Sequence, residues 1–323
     1  MKNKNTTWTT RILIFLIASG ILLPMVHKDP YFLHICIIIF IWSILTFGIR
    51  IVLITGHLNA AQGGFLGMGA YFSAILTMKL GWSFWISLPA SGLAVAILAM
   101  IVGYPILRVK GAYFVMITFG ITEVFRQIWM MWKDMFGGPQ GLFGVPKPSP
   151  IDIAGLHISF SSKMPFYYLA LVVLLFTVLV MRRLDNSRLG ITLRSLPQSE
   201  MLSESIGIPI LLYKLIAFVI GAFFAGLAGS LWAHYFTYAS PDDFNWTNSL
   251  FMLMYAVIGG TQTVLGPILG CMLLLSLDEV LIEFQEYTPI VLGLILIFIL
   301  FYLPGGLISL PQKMGSLLKW RKK

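Results

Sequence analysis

RRLDNSRLGITLRSLPQSEMLSESIGIPILLYK, from Arg182 to Lys214, is a polar, basic island in an otherwise apolar chain. Ser195 is placed to N-cap a short helix and Gln198, three residues on, to complete a capping box. Pro197 falls in the first turn, where a missing N–H costs nothing. Gly207 offers a left-handed stop and Pro209 forbids continuation. Between these caps Leu196, Ser199, Leu202 and Ile206 share one side, with Glu200 and Glu204 elsewhere on the surface. A capped, one-sided helix on a loop between apolar runs is something for a soluble partner to grip. It points away from a self-contained carrier and towards a machine driven from outside the membrane.

Working outward from this island, the rest of the chain is membrane-like. The 323 residues are 58% hydrophobic and 11% charged, with a mean hydropathy of +0.87, whereas soluble domains are about a quarter charged. Apolar runs near twenty residues long fit helices that span a bilayer, and the ten-residue alternation of a membrane β-barrel is absent. The net charge of +9 is gathered in patches: Lys2, Lys4 and Arg11; Arg108 and Lys110; Arg182, Arg183, Arg188, Arg194 and Lys214; and Lys313 to Lys323. Basic patches between apolar runs are the positive-inside signature, so the charge does not argue for nucleic acid. Cys36 and Cys271 both fall in apolar segments, so neither a structural disulfide nor a metal site is expected. The basic-then-apolar N-terminus resembles a signal peptide but lacks a small-x-small cleavage site, which favours an uncleaved first span.

Spans are expected near 12–26, 31–54, 64–80, 83–105, 111–131, 165–181, 214–236, 248–265, 266–282 and 288–303. With the N-terminus in the cytoplasm, every strong basic patch lies inside, and so do both termini. The 132–164 loop with its run GGPQGLFGVPKPSP then lies outside, together with the segments around Asp242 and Glu286. The expected fold is therefore an all-α integral membrane protein, a single polytopic helical domain over 1–323 of about ten spans, with a cytoplasmic loop at 182–214.

Two segments interrupt this pattern. GHLNAAQGGFLGMGAYFSAIL (Gly56 to Leu76) starts polar and carries five glycines, and IGGTQTVLGPILG (Ile258 to Gly270) breaks an apolar stretch with Gly, Thr, Gln and Pro. Non-helical backbone at membrane depth is tolerated where protein buries it or where it lines a cavity. Paired broken segments, re-entrant or unwound, are the sequence pointer to a translocation pathway and to a weak internal repeat. Asn59, Gln62, Gly63, Gly64, Gly259, Gly260 and Thr261 are the candidate pathway residues. The alternative is close helix packing through small residues such as Gly67 and Gly69.

Ionisable residues inside spans are few. Glu123 and Arg126, three apart on one helical face, can neutralise each other, either as a functional pair at membrane depth or as a structural tie between helices. Arg50 is expected to snorkel to the cytoplasmic interface. His57 and Asn59 are read as capping a helix end, and Asp278 and Glu279 as solvated near an outer end. No nucleophile–base set, HExxH, CxxC or GxxxxGK[ST] phosphate loop is present, so no catalytic residue, metal or cofactor is expected. If ATP drives the protein, another chain binds it.

Taken together, these segments resemble the membrane permease subunits of branched-chain amino acid ABC importers, particularly the larger of the paired permeases, over about residues 31–305. GHLNAAQGGFLGMGAYFSAIL is similar to that family's early Gly/Ala/Gln segment. RVKGAYFVMITFGITEVFR, with Arg108, Gly111, Tyr113, Thr118 and Glu123, is similar to its central span. GGPQGLFGVPKP, NSRLGITLRSLPQSEMLSESIGIPILLYKLIAFVIGAFFAGLAGSLWAHY, SPDDF and IGGTQTVLGPILG follow in the family's order. Carried over residue by residue, the resemblance puts the ATPase-coupling region on Arg194, Glu200, Leu202, Ser203 and Gly207. Leu202 and Ser203 stand where the family has paired alanines, and Pro197 where it has a basic residue.

The resemblance implies an importer in the bacterial cytoplasmic membrane. It would be assembled from two permeases, two cytoplasmic ATPases and an external substrate-binding protein, and would work by alternating access without chemistry of its own. A pathway rich in Gly, Ala, Leu, Ile, Met and Phe suits a zwitterion with an apolar side chain and disfavours highly charged cargo. A neutral amide such as urea meets the same physical demand. An ion-coupled secondary transporter, the reading from a different class, would need an ionisable relay and no external ATPase.

Overall fold

The computed structural model describes residues 20, 23–24, 29–153, 156–198, 200–205, 207–281, 288–303 and 305–309. The expected span at 12–26 lies almost entirely outside the described residues, as do Ser199, Ile206, Glu286 and the basic stretch Lys313 to Lys323. In chain order the described helices are α1 (Pro30–Leu53), α2 (Gln62–Met78), α3 (Phe84–Ile106), α4 (Ala112–Met131) and the single turn α5 (Lys133–Phe136). They continue with α6 (Lys163–Asp185), α7 (Arg188–Ser195), α8 (Glu200–Ser205), α9 (Ile210–Phe236), α10 (Trp246–Gly259), α11 (Leu265–Val280) and α12 (Thr288–Tyr302). Among them α1, α3, α4, α6 and α9 are long and apolar enough to cross a membrane. The chain is a polytopic all-α membrane protein, and each span expected after residue 30 has its helix.

Helices α1 and α9 form the centre. Helix α1 starts at Asp29, whose carboxylate accepts from the Tyr31 N–H, with Pro30 in the first turn. From Ile41 to Val52 every residue of α1 is buried, as expected of a helix that is apolar all round. Helix α9 reaches its neighbours through the small residues of GAFFAGLAGS. A Cβ on Gly221 would stand 2.5 Å from the Gly48 carbonyl of α1, and one on Gly69 of α2 would stand 2.5 Å from the Gly226 backbone. Ser91 of α3 donates to the Gly226 carbonyl at 3.2 Å. Lipid tails give no hydrophobic drive for helix association, so close backbone approach and dispersion hold such crossings. The small-residue reading of Gly67 and Gly69 therefore describes this part of the chain. Ile86, Leu93, Ile97 and Ile101 of α3 face outward, the apolar exterior that a bilayer solvates.

Helices α10 and α11 form an antiparallel pair against α1. Their 14 and 16 residues rise about 21 and 24 Å, less than the roughly 30 Å of a hydrocarbon core. Helix α10 ends short of the span expected there because the chain unwinds between Gly260 and Val264, and α11 starts directly after that break.

The loop between α4 and α6 is fastened rather than loose. Leu142–Phe143 pairs antiparallel with Tyr238–Ala239, and Ile151–Ile153 pairs with Leu156–Ile158 as a hairpin. His234 Nδ1 donates to the Pro146 carbonyl at 2.6 Å, and Ser73 Oγ donates to its Nε2 at 2.9 Å. Trp85 Nε1 donates to the Ser149 carbonyl at 3.2 Å.

Candidate coupling and translocation site

The basic segment folds as two short helices, not one. Ser187 caps α7 by accepting from the Gly190 N–H at 3.3 Å, and α7 runs on through Ser195. Ser195 is therefore the last residue of a helix, not the N-cap expected of it, and its hydroxyl donates back to the Thr192 carbonyl at 2.8 Å. Pro197 has no N–H to extend α7, and Gln198 closes a turn by donating its N–H to the Ser195 carbonyl at 3.1 Å. Ser195 and Gln198 thus form no capping box, and the described residues of α8 are Glu200–Ser205.

The expected stop is where it was placed. Gly207 has φ +80°; its N–H donates to the Glu204 carbonyl at 2.9 Å and the Ile208 N–H to the Ser203 carbonyl at 3.0 Å. That pair of bonds is a Schellman closure. Met201 and Leu202 are 82% and 68% exposed, whereas Ser203 is 6% and Leu196 0% exposed. Leu196 and Leu202 do not share a face, because Leu196 belongs to the buried end of α7. The side chain of Glu200 lies outside the described residues.

Arg50 overturns a second expectation. It does not snorkel: its side chain is 1% exposed, and two terminal nitrogens fork onto Asp185 at 3.4 and 2.7 Å. Its Nε donates to the Thr261 carbonyl at 2.9 Å. Arg194 of α7 reaches the same carboxylate at 2.9 Å. A carboxylate at the C-terminus of α6 opposes the helix dipole, and two guanidiniums offset it. No sequence signal marks Asp185, an acidic residue among arginines at the end of a span. The partners of Arg50 lie 135 and 211 residues away in the chain.

The first interrupted segment is non-helical only up to Ala61, and the glycines from Gly63 onward are inside α2. Side chains satisfy the unwound backbone. Asn59 Oδ1 accepts from the Ala61 N–H at 2.9 Å and its Nδ2 donates to Gln62 Oε1 at 3.4 Å. The Gln62 amide donates to the Leu45 and Gly221 carbonyls at 3.4 and 3.1 Å. Thr118 accepts from the Ala60 N–H at 3.2 Å, Thr122 donates to the Ala60 carbonyl at 3.0 Å, and Ser249 accepts from the Gly63 N–H at 2.8 Å. Gly64 packs against Phe125 and Thr122. Asn59 and Gln62 are buried in this conformation; Asn59 holds the Ala61 N–H just before α2 rather than capping the helix, whose N-cap Ala61 has no side-chain cap bond. Thr118 belongs to the motif of the central span, whereas Thr122 and Ser249 read as ordinary span residues; only the fold shows that all three serve this backbone.

In the second segment backbone meets backbone. Gly259 crosses Gly266, and Gly270 crosses Tyr255. Gly260, with φ +103°, lies so close to the turn after α12 that a Cβ would stand 2.5 Å from the Gly305 carbonyl. Thr261 presents its carbonyl to Arg50.

Glu123 and Arg126 do pair, at 2.9 Å, and Arg126 also holds Asp242 at 3.0 Å. Both side chains are about a quarter exposed. They sit towards the end of α4 that leads into the 132–164 loop, tying it to the Pro241–Phe244 turn, away from the Arg50–Asp185–Arg194 cluster.

Residues 31–300 match the family described as "Branched-chain amino acid transport system / permease component". The chain is 32% identical over 291 residues to the high-affinity branched-chain amino acid transport system permease protein LivM of Escherichia coli K12, covering 84% of this chain and 68% of that protein. The LivM of Salmonella typhimurium is 31% identical over 291 residues with the same coverage. No solved structure matches.

Proposed function

The chain belongs to the branched-chain amino acid transport permease family, and we propose that it is one of two permeases in an ATP-driven importer of leucine, isoleucine and valine. Two ATPases on separate chains dock on the cytoplasmic side, and an external binding protein delivers the substrate. Both termini and the 182–214 loop face the cytoplasm of a bacterial inner membrane, and the 132–164 loop faces outward. The whole chain serves as a single permease domain.

The observation that carries this reading is α8. A Schellman-closed helix that exposes Met201 and Leu202 offers an apolar ridge to a soluble partner. Arg194, Glu200, Ser203 and Gly207 position that ridge. Closure of the ATPase pair displaces α8, and the bundle moves between states that open to one side or the other. Asn59, Gln62, Gly63, Gly64, Gly259, Gly260 and Thr261 mark where the helices can part. The lining that results offers apolar and amide surface, which suits a zwitterion with an aliphatic side chain.

The test is uptake of labelled leucine by a strain lacking this gene and its functional equivalents, with and without the restored operon. Valine and isoleucine should suppress the restored uptake and urea should not. Restored urea uptake without a response to leucine would assign the permease to short amides. Uptake that needs a proton or sodium gradient and no ATPase would remove it from the ATP-driven class.

A further inference from the structure

Both interrupted segments reach the segment that carries α7 and α8, the first by direct contact and the second through ions. Gly56, at the start of the first, lies against Pro197 in the turn between α7 and α8, where a Cβ on the glycine would stand 3.4 Å from the proline ring. The second is reached through ions: Arg194 on Asp185, Asp185 on Arg50, and Arg50 on the carbonyl of Thr261, at 2.9, 2.7 and 2.9 Å. Four elements meet there: α7, the C-terminus of α6, α1, and the unwound turn between α10 and α11.

Burying a guanidinium in an apolar helix is costly, and a packed apolar residue would join α1 to α6 with no desolvation to offset. An ion cluster has a property that apolar packing lacks. Asp185 is shared by two cations on different elements, so a displacement of one changes how firmly the carboxylate holds the other. The Thr261 carbonyl is the end of that chain. It sits in backbone already released from the α-helical pattern, next to the left-handed Gly260.

We propose that Arg194, Asp185 and Arg50 are positioning residues that pass movement of the α7–α8 segment to the Thr261 turn. When the segment shifts, Arg194 leaves or tightens on Asp185, the fork between Asp185 and Arg50 adjusts, and the Thr261 carbonyl is released or gripped. This rests on the importer reading, because it needs a partner that moves α8.

The test uses the assembled complex in proteoliposomes, with substrate uptake and ATP hydrolysis measured on the same preparation. Arg194, 38% exposed, can be changed with little risk to folding. Arg194→Gln should lower uptake about tenfold, within the range of ordinary coupling energies. Hydrolysis stimulated by the loaded binding protein should fall by less than uptake does, so that the number of ATP molecules spent per substrate rises. Arg194→Lys, which keeps the cation, should restore most of the uptake. Asp185→Asn, which also strips the buried Arg50 of its carboxylate, should lower uptake per folded complex at least as far as Arg194→Gln does.

Wild-type uptake by Arg194→Gln would overturn the relay. So would uptake and hydrolysis falling in proportion to the amount of complex recovered, since that is what a merely structural tie predicts. If the wild-type chain neither retains an ATPase nor stimulates one, the importer reading fails first and the relay with it.

Discussion

The two interrupted segments look alike in sequence and are fastened in opposite ways. The first is held by side chains: Asn59, Gln62, Thr118, Thr122 and Ser249 each supply a bond to unwound or neighbouring backbone. The second is held by glycines that let one backbone lie on another, plus a single guanidinium from α1. Many directed hydrogen bonds specify one geometry, since each broken bond leaves a buried polar group unpaired. Glycine contacts are close but undirected, and a carbonyl gripped by one ion can be let go. Of the two, the first break is therefore the stiffer joint and the second the one that gives more readily.

That contrast can be broken by measurement, most severely at Arg50. Arg50→Leu leaves the Asp185 carboxylate without its closest buried partner and the Thr261 carbonyl without its donor. The expected cost is about 3–5 kcal/mol, seen as a collapse in folded yield and in the melting temperature of detergent-purified protein. Gln62→Leu strips bonds from the Leu45 and Gly221 carbonyls and should cost about 1–3 kcal/mol, with folded protein still recovered. If Gln62→Leu proves the more damaging of the two, the ranking of the joints is inverted.

Smaller effects sharpen the picture at α8. The space around Gly207 is open, so Gly207→Val should cost only the left-handed backbone strain of about 1–2 kcal/mol. It should fray the Schellman closure and weaken co-purification of the ATPase. Leu202→Asp should change stability by no more than about 0.5 kcal/mol, as exposed substitutions do, yet lose the ATPase. Full transport by Leu202→Asp would make α8 an ordinary loop element. The least perturbing test concerns sidedness. Phe143→Cys, at a position 65% exposed, should react with an impermeant thiol reagent from outside intact cells, and Met201→Cys, at one 82% exposed, only after the membrane is opened. Ser203 is a poor reporter for this purpose, because its burial would protect a cysteine from either side.

Much of the fold was legible in the chain. Apolar run lengths placed the spans, because a helix in lipid must satisfy its own backbone and so must be long and apolar. The stop at Gly207 was legible because a left-handed cap strongly favours glycine. The start of α8 was not. Ser195 and Gln198 have the spacing of a capping box, but Ser187 had already started a helix that runs through Ser195, and a residue inside a helix cannot also cap the next. Arg50 was misread for a related reason. Snorkelling is the default for an arginine near a helix end, and only tertiary contact with Asp185 and Thr261 makes burial cheaper than reaching for water.

By itself the sequence determined a polytopic helical membrane protein with a stopped basic loop and two glycine-marked breaks, since period, hydropathy and backbone permissiveness are local properties. The family it resembles was equally legible, because the ordered motifs are themselves sequence. Tertiary structure alone decided how each break is closed. It paired Arg50 with a carboxylate 135 residues away and set Gly48 on Gly221 and Gly69 on Gly226. Such partners are chosen by which surfaces the packed bundle brings within hydrogen-bond or van der Waals reach, and no spacing along the chain encodes that.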